Sequence, residues 1–218
     1  MKGSFNHMTP RLYLKKYITP EFFLNFALLQ FGLFVFSFGI IFAKQAVLGL
    51  SPWDVFHWGL SLNLPITFGQ ASQITGLTLI VVSWFLGVKP GIGTVCNMFF
   101  IGLWVDIVLS LKFIPEANQF GIIVQLVFIF FSLASYCVGG ALYIKAKLGT
   151  GPRDSLMMAL VRKTGWRVSI CRIWIEVAAC VIGWWLGGIV GIATVILAFG
   201  IGPAVGIGFK IFKVDVKK

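Results

Sequence analysis

Asp54 and Asp154 stand 100 positions apart in one local pattern, Leu48-Gly49-Leu50-Ser51-Pro52-Trp53-Asp54 and Leu148-Gly149-Thr150-Gly151-Pro152-Arg153-Asp154. A carboxylate placed just inside a helix that begins on proline can serve in two ways. It can complete a helix start. Pro52 and Pro152 suit the first helical position, Ser51 is a good N-cap, and an acid in the first turn meets the positive end of the helix dipole. Alternatively, where the helix starts inside a membrane, the carboxylate can hold a cation or proton among half-helix ends and unpaired backbone groups. On that reading Trp53 and Arg153 make the two copies chemically unequal. His57, three residues after Asp54 on the same helix face, either relays protons with it or occupies an interfacial position.

Other candidates are fewer. Asp106 and Glu176 are ionisable residues inside apolar runs, where carboxylates cost free energy and by default suggest function. Arg172, four residues before Glu176, offers it an intrahelical partner; Asp106 has none in its own helix. Asn97 joins Asp106 as a companion or serves as glue between helices. Arg153, Arg162, Lys163, Arg167 and Arg172 crowd one stretch, either setting topology against lipid phosphates or forming a vestibule for an anionic solute. The four cysteines lie in or beside apolar runs at no metal-like or redox-like spacing, and there are only two histidines, so neither a metal nor a cofactor is expected. No phosphate loop, dinucleotide fingerprint or nucleophile–base set is present, which argues against an enzyme.

The elements that must position these residues are membrane helices. Hydrophobic residues make up 58% and charged residues 11% of 218, an apolar excess that a chain of this length cannot hide in its own interior. The apolar runs are continuous rather than alternating, which selects helices over barrel strands. The stretch Met1–Pro20 has no short apolar core followed by a small-residue cleavage site, and the run from about 22 to 48 is long enough to stay as a span. The two halves repeat: over positions 31–107 against 131–207, 22 of 77 residues are identical, including Trp84-Phe85-Leu86-Gly87 with Trp184-Trp185-Leu186-Gly187 and Gly91-Ile92-Gly93-Thr94-Val95 with Gly191-Ile192-Ala193-Thr194-Val195. Each half reads as three spans with a short piece after the first: 22–48, 70–88 and 91–111, then 119–147, 167–188 and 190–209. Pro52–Leu64 and Pro152–Lys163 are too short to cross about 30 Å of hydrocarbon. Gly183, Gly187, Gly191, Gly202 and Gly206, with Gly87 and Gly91, recur at the spacing that lets helix backbones approach, although Gly187 and Gly191 flank an expected turn, where glycine punctuates the chain instead.

With six spans and the N-terminus inside, inner segments hold 16 of the 18 positive residues, leaving only Lys44 and Lys112 outside. Three spans per unit is odd, so the second copy enters from the opposite face. The expected fold is thus an all-α polytopic membrane protein of six transmembrane helices in two inverted three-helix repeats, each with a short re-entrant or interfacial helix. The expected division is a cytoplasmic N-terminal arm at 1–21, a single membrane domain at 22–212 (repeats about 22–112 and 119–212) and a basic C-terminal tail at 213–218. Both termini are expected in the cytoplasm. A net charge of +11 fits topology and anionic head groups rather than nucleic acid.

The doubled Pro-x-Asp element, the Trp-x-Leu-Gly run and the Gly-Ile-x-Thr-Val run resemble the YczE/YyaS/YitT-type integral membrane proteins, most closely the YczE-like branch, over about 22–212. The resemblance implies a small bacterial inner-membrane protein and supplies neither an activity nor catalytic residues. The leading expectation is a secondary transporter or exporter of a small solute. The alternative is an accessory or scaffold protein that docks cytosolic partners through the basic segment 145–172. Expected partners are the anionic bilayer surface and the solute, with self-association left open.

Overall fold

The computed structural model describes residues 19–214, so the expected N-terminal arm and basic tail lie almost wholly outside the described residues. The described residues form eight α-helices and one short 3-10 helix, with no strand. The first repeat holds α1 (Pro20–Ala46), α2 (Pro52–Asn63), α3 (Phe68–Phe85) and α4 (Ile92–Ser110). After the 3-10 helix Ala117–Phe120, the second holds α5 (Ile122–Lys145), α6 (Pro152–Thr164), α7 (Val168–Trp185) and α8 (Ile192–Ile211).

Local sequence accounts for the boundaries. Proline opens α1, α2 and α6, where its missing N–H costs nothing. The Thr67 hydroxyl accepts from the Gln70 N–H while the Gln70 side chain reaches back, a reciprocal cap that starts α3. The repeated Trp-x-Leu-Gly run ends α3 and α7 in the same way. Gly87 and Gly187 both sit at φ 91°, their N–H groups donating to Trp84 and Trp184. The next N–H in each turn, that of Val88 or Gly188, reaches back to the carbonyl of Ser83 or Gly183.

Five helices (α1, α4, α5, α7 and α8) are each long and apolar enough to cross a membrane. The polar-studded α3 meets that description only together with α2, from which it is bent by 114°, so the candidate spans number five to six. At 12 residues α2 is about 18 Å long, short of a bilayer. The outward side chains are apolar: Phe85, Trp185, Phe199 and Ile123 are each at least 75% exposed, a surface suited to lipid.

Packing follows the repeat. The first helices of the two units, α1 and α5, form the most extensive pairing in the molecule. They cross closely, since a Cβ on Gly139 would lie 2.4 Å from the Phe36 nitrogen and one on Gly32 would lie 2.5 Å from the Tyr143 nitrogen. Each unit then lends its short helix to the other: α2 packs on α7 and α6 on α3. Within each unit the first helix also packs on the last, α1 on α4 and α5 on α8.

The recurring sequence motifs meet at this exchange. The Ala193 N–H donates to the Leu48 carbonyl at 3.0 Å, and the Gly93 N–H donates to the Leu148 carbonyl at 2.7 Å. The Leu-Gly element of each half therefore caps the Gly-Ile-x-Thr helix start of the other. Gly49 (φ 112°) and Gly149 (φ 141°) are required at the contact, because that backbone region excludes side chains and because a Cβ on Gly49 would lie 2.6 Å from the Gly191 nitrogen. Not every glycine expected to bring helices together does so. Gly183 packs its backbone against Val55 and Phe56, whereas a Cβ on Gly202 or Gly206 would touch nothing within 4 Å.

Candidate functional site

The N-terminus of α2 carries its aspartate into the protein interior. Asp54 is 1% exposed and is surrounded by polar groups. The Ser51 hydroxyl donates to Asp54 Oδ2 at 2.5 Å, and the Tyr136 hydroxyl of α5 donates to the same oxygen at 3.3 Å. His57 Nδ1 lies 3.4 Å from Asp54 Oδ1, and the Arg153 guanidinium of α6 lies 3.8 Å from it. Ser51 occupies the N-cap position, yet its hydroxyl makes no cap bond to the helix and is spent on the carboxylate. That choice sets this element apart from an ordinary helix start. His57 is buried beside Asp54 rather than at a surface, with Nδ1 and Asp54 Oδ1 lacking a well-formed hydrogen bond.

Arg153 spans the two repeats. It belongs to the second Pro-x-Asp element, reaches the aspartate of the first, and lies over the Trp53 ring at 5.2 Å. The residues at matching positions, Trp53 and Arg153, thus face one another.

In front of this cluster lies a cavity of about 510 Å³, walled by both repeats. Its polar lining includes Ser51, Ser72, Thr75 and Asn97 beside the ionisable His57, Arg153, Asp154, Arg172 and Glu176. Apolar wall is contributed by Phe36, Ile40, Leu197, Ile201, Val205 and Phe209. Gly202 and Gly206 also line it, which explains their empty surroundings: they leave space rather than close a helix contact. The size falls within the range of about 300–1,000 Å³ typical of small-molecule sites.

Of the residues singled out from sequence, Asp54, His57, Asn97, Arg153, Asp154 and Glu176 converge on this region. Glu176 pairs with Arg172 at 2.9 Å, the intrahelical partner that the spacing offered. Ser51, Pro52, Gly151 and Pro152 all line the cavity, while Gly49 and Gly149 hold the turns behind it. Asp106 lies elsewhere. One turn before the end of α4, it accepts the Gly69 N–H at 2.8 Å and the Thr67 hydroxyl, capping the start of α3. Arg162, Lys163 and Arg167 are exposed and take no part in the cavity, whereas Arg153 and Arg172 do. Among the described residues no group of three His, Cys, Asp or Glu side chains could hold a metal ion.

Tyr136 and Tyr143 were not singled out by sequence reasoning. Both stand inside an apolar run, where a hydroxyl needs a partner, and that signal was available. Tyr136 finds Asp54, and Tyr143 lines the cavity.

Residues 23–210 match the family described as "Family of unknown function (DUF6198)". The chain is 36% identical over 170 residues to the uncharacterized membrane protein YczE of Bacillus subtilis (strain 168), covering 77% of each chain. It is 29% identical over 179 residues to an uncharacterized protein of Haemophilus influenzae (strain ATCC 51907 / DSM 11121 / KW20 / Rd), covering 82% of this chain and 80% of that one. No solved structure matches it. The apolar helices and the agreement along residues 23–210 have one explanation: the chain is an integral membrane protein and belongs to the YczE-type family, DUF6198.

Proposed function

We propose that this protein is a small secondary transporter or exporter that moves a solute across the bacterial inner membrane without altering it chemically. Its two repeats cross the membrane in opposite directions, with both termini in the cytoplasm. The observation that carries this reading is the cavity, which lies where the two Pro-x-Asp elements meet and draws its wall from both repeats. A site shared in this way opens to alternate faces when one repeat rocks against the other. The Arg153–Asp54 contact and the two reciprocal backbone bonds at Leu48 and Leu148 link the halves across the site, and rocking must loosen them in turn. The exposed Arg162, Lys163 and Arg167 would rest against anionic head groups.

Two measurements test this reading. The first replaces the exposed Leu62 and Arg162 with single cysteines in a cysteine-free protein and labels intact cells with an impermeant maleimide. Opposite faces are expected to react, and labelling of both from one face would rule out the inverted arrangement. In the second, the protein is placed in liposomes loaded with a pH dye and challenged with a panel of cationic, anionic, zwitterionic and neutral solutes. One class should move protons in wild type but not in Asp154→Asn; no response to any class would count against coupled transport.

A further inference from the structure

We propose that the cavity binds an organic cation, an apolar body bearing one positive charge that pairs with Asp154. This rests on reading the cavity as a solute site, though not on transport itself. Three carboxylates and two guanidinium groups gather there. Glu176 has Arg172 at 2.9 Å. Asp54 has Arg153 at 3.8 Å together with the Ser51 and Tyr136 hydroxyls. Asp154 is left over. Among the described residues it has no ion pair and no side-chain hydrogen bond; the Gly151 backbone stands beside it, and Arg172 and Arg153 act on it only through space. Counted formally, with the carboxylates and guanidiniums ionised and His57 neutral, the group has one more negative charge than positive.

The repeat shows how this inequality is built. The residues that serve Asp54, namely Ser51, His57 and Tyr136, correspond through the 100-residue offset to Gly151, Met157 and Phe36. Each position that supplies a polar side chain in one copy supplies none in the other. A buried carboxylate with no side-chain partner is costly, and a charge arriving with the ligand reduces that cost. The rest of the wall decides what sort of cation fits. Phe36, Ile40, Leu197, Ile201 and Phe209 offer hydrocarbon where a small inorganic ion would need a shell of oxygens. An organic cation instead buries its carbon there, and the Tyr143 ring adds a surface that favours positive charge. The two arginines do not make this an anion site, because each already faces a carboxylate.

Equilibrium dialysis on the purified full-length protein tests the proposal with tetraphenylphosphonium and its borate analogue, which share a shape and differ in the sign of charge. Tetraphenylphosphonium should occupy one saturable site per chain. Asp154→Asn should weaken it at least ten-fold, Asp154→Glu should recover most of the binding, and tetraphenylborate should not compete. Gly206→Phe, which fills cavity space and alters no charged residue, should also abolish binding and gives a second test if Asp154→Asn fails to fold. Competition by tetraphenylborate as strong as by the cation, or undiminished binding in Asp154→Asn or Gly206→Phe, would overturn the proposal. Cation binding without any flux would remove the transporter reading alone. Flux of a neutral or anionic solute with no cation binding would remove this one alone.

Discussion

A single methyl group, added at two glycines of similar helical setting, should move stability in opposite directions. At Gly139 on α5 the new Cβ would lie 2.4 Å from the Phe36 nitrogen, 2.7 Å from its Cα and 2.8 Å from the Gly32 carbonyl oxygen. All three are backbone atoms and cannot rotate aside. To restore ordinary contact, α1 and α5 must part by about 1 Å, which forfeits a quarter to a half of the dispersion attraction along the crossing. Overpacking of this kind costs about 1–3 kcal/mol, against which the better helix propensity of alanine returns about 0.8–1.0. Gly139→Ala should therefore lose up to about 2 kcal/mol. At Gly206 on α8 the Cβ meets nothing within 4 Å, so only the propensity gain remains and Gly206→Ala should gain up to about 1 kcal/mol. The assay is reversible unfolding of purified protein in mixed micelles titrated with sodium dodecyl sulfate and followed by tryptophan fluorescence. If Gly139→Ala matched or exceeded wild-type stability, or if both variants shifted the same way, the close crossing and the open cavity could not both be right. Gly139→Ala should disturb the site as well, since Phe36 packs edge-on against Tyr136, which holds Asp54.

Gly49→Ala and Gly149→Ala should each destabilise the fold by about 1–3 kcal/mol, because both sit at positive φ. Gly49→Ala should be the worse in the same unfolding titration, its Cβ lying 2.6 Å from the Gly191 nitrogen while that of Gly149 lies 3.1 Å from the Thr94 nitrogen. Asp106→Asn should cost about 1 kcal/mol through weaker capping of α3 and leave tetraphenylphosphonium binding unchanged; a binding defect would bring Asp106 back into the solute path. Arg172→Gln should change stability by less than about 1 kcal/mol, since its pair with Glu176 is largely exposed, and should tighten tetraphenylphosphonium binding by removing a cation from the cavity; weaker binding in dialysis would contradict that.

The parts of this site that depend on backbone punctuation could be read from the chain. Proline, glycine and capping residues mark α2 and α6 because they act within a few positions of themselves, and the Arg172–Glu176 pair follows from helical spacing alone. What the spacing could not supply is the partner brought from another helix. Tyr136 reaches Asp54 only because α5 crosses α1 at glycine, and Arg153 does so only because α6 enters the first repeat. Asp106 looked isolated for the same reason in reverse, its partners Thr67 and Gly69 lying across the α3–α4 hairpin. Gly202 and Gly206 carry the spacing of a helix contact, and only the position of the cavity shows them to be openings.

The Leu48 carbonyl receives its donor from Ala193, and α2 packs on α7. A ribosome delivers these pieces far apart in time. When the first repeat has been made, its short helix has α3 beside it but not α7, and its Leu-Gly turn has no donor, so the half is incomplete until the second arrives. The first turn of α8 then supplies the missing donor. Separately expressed halves, divided within the 112–121 connection, should accordingly be degraded alone and accumulate together.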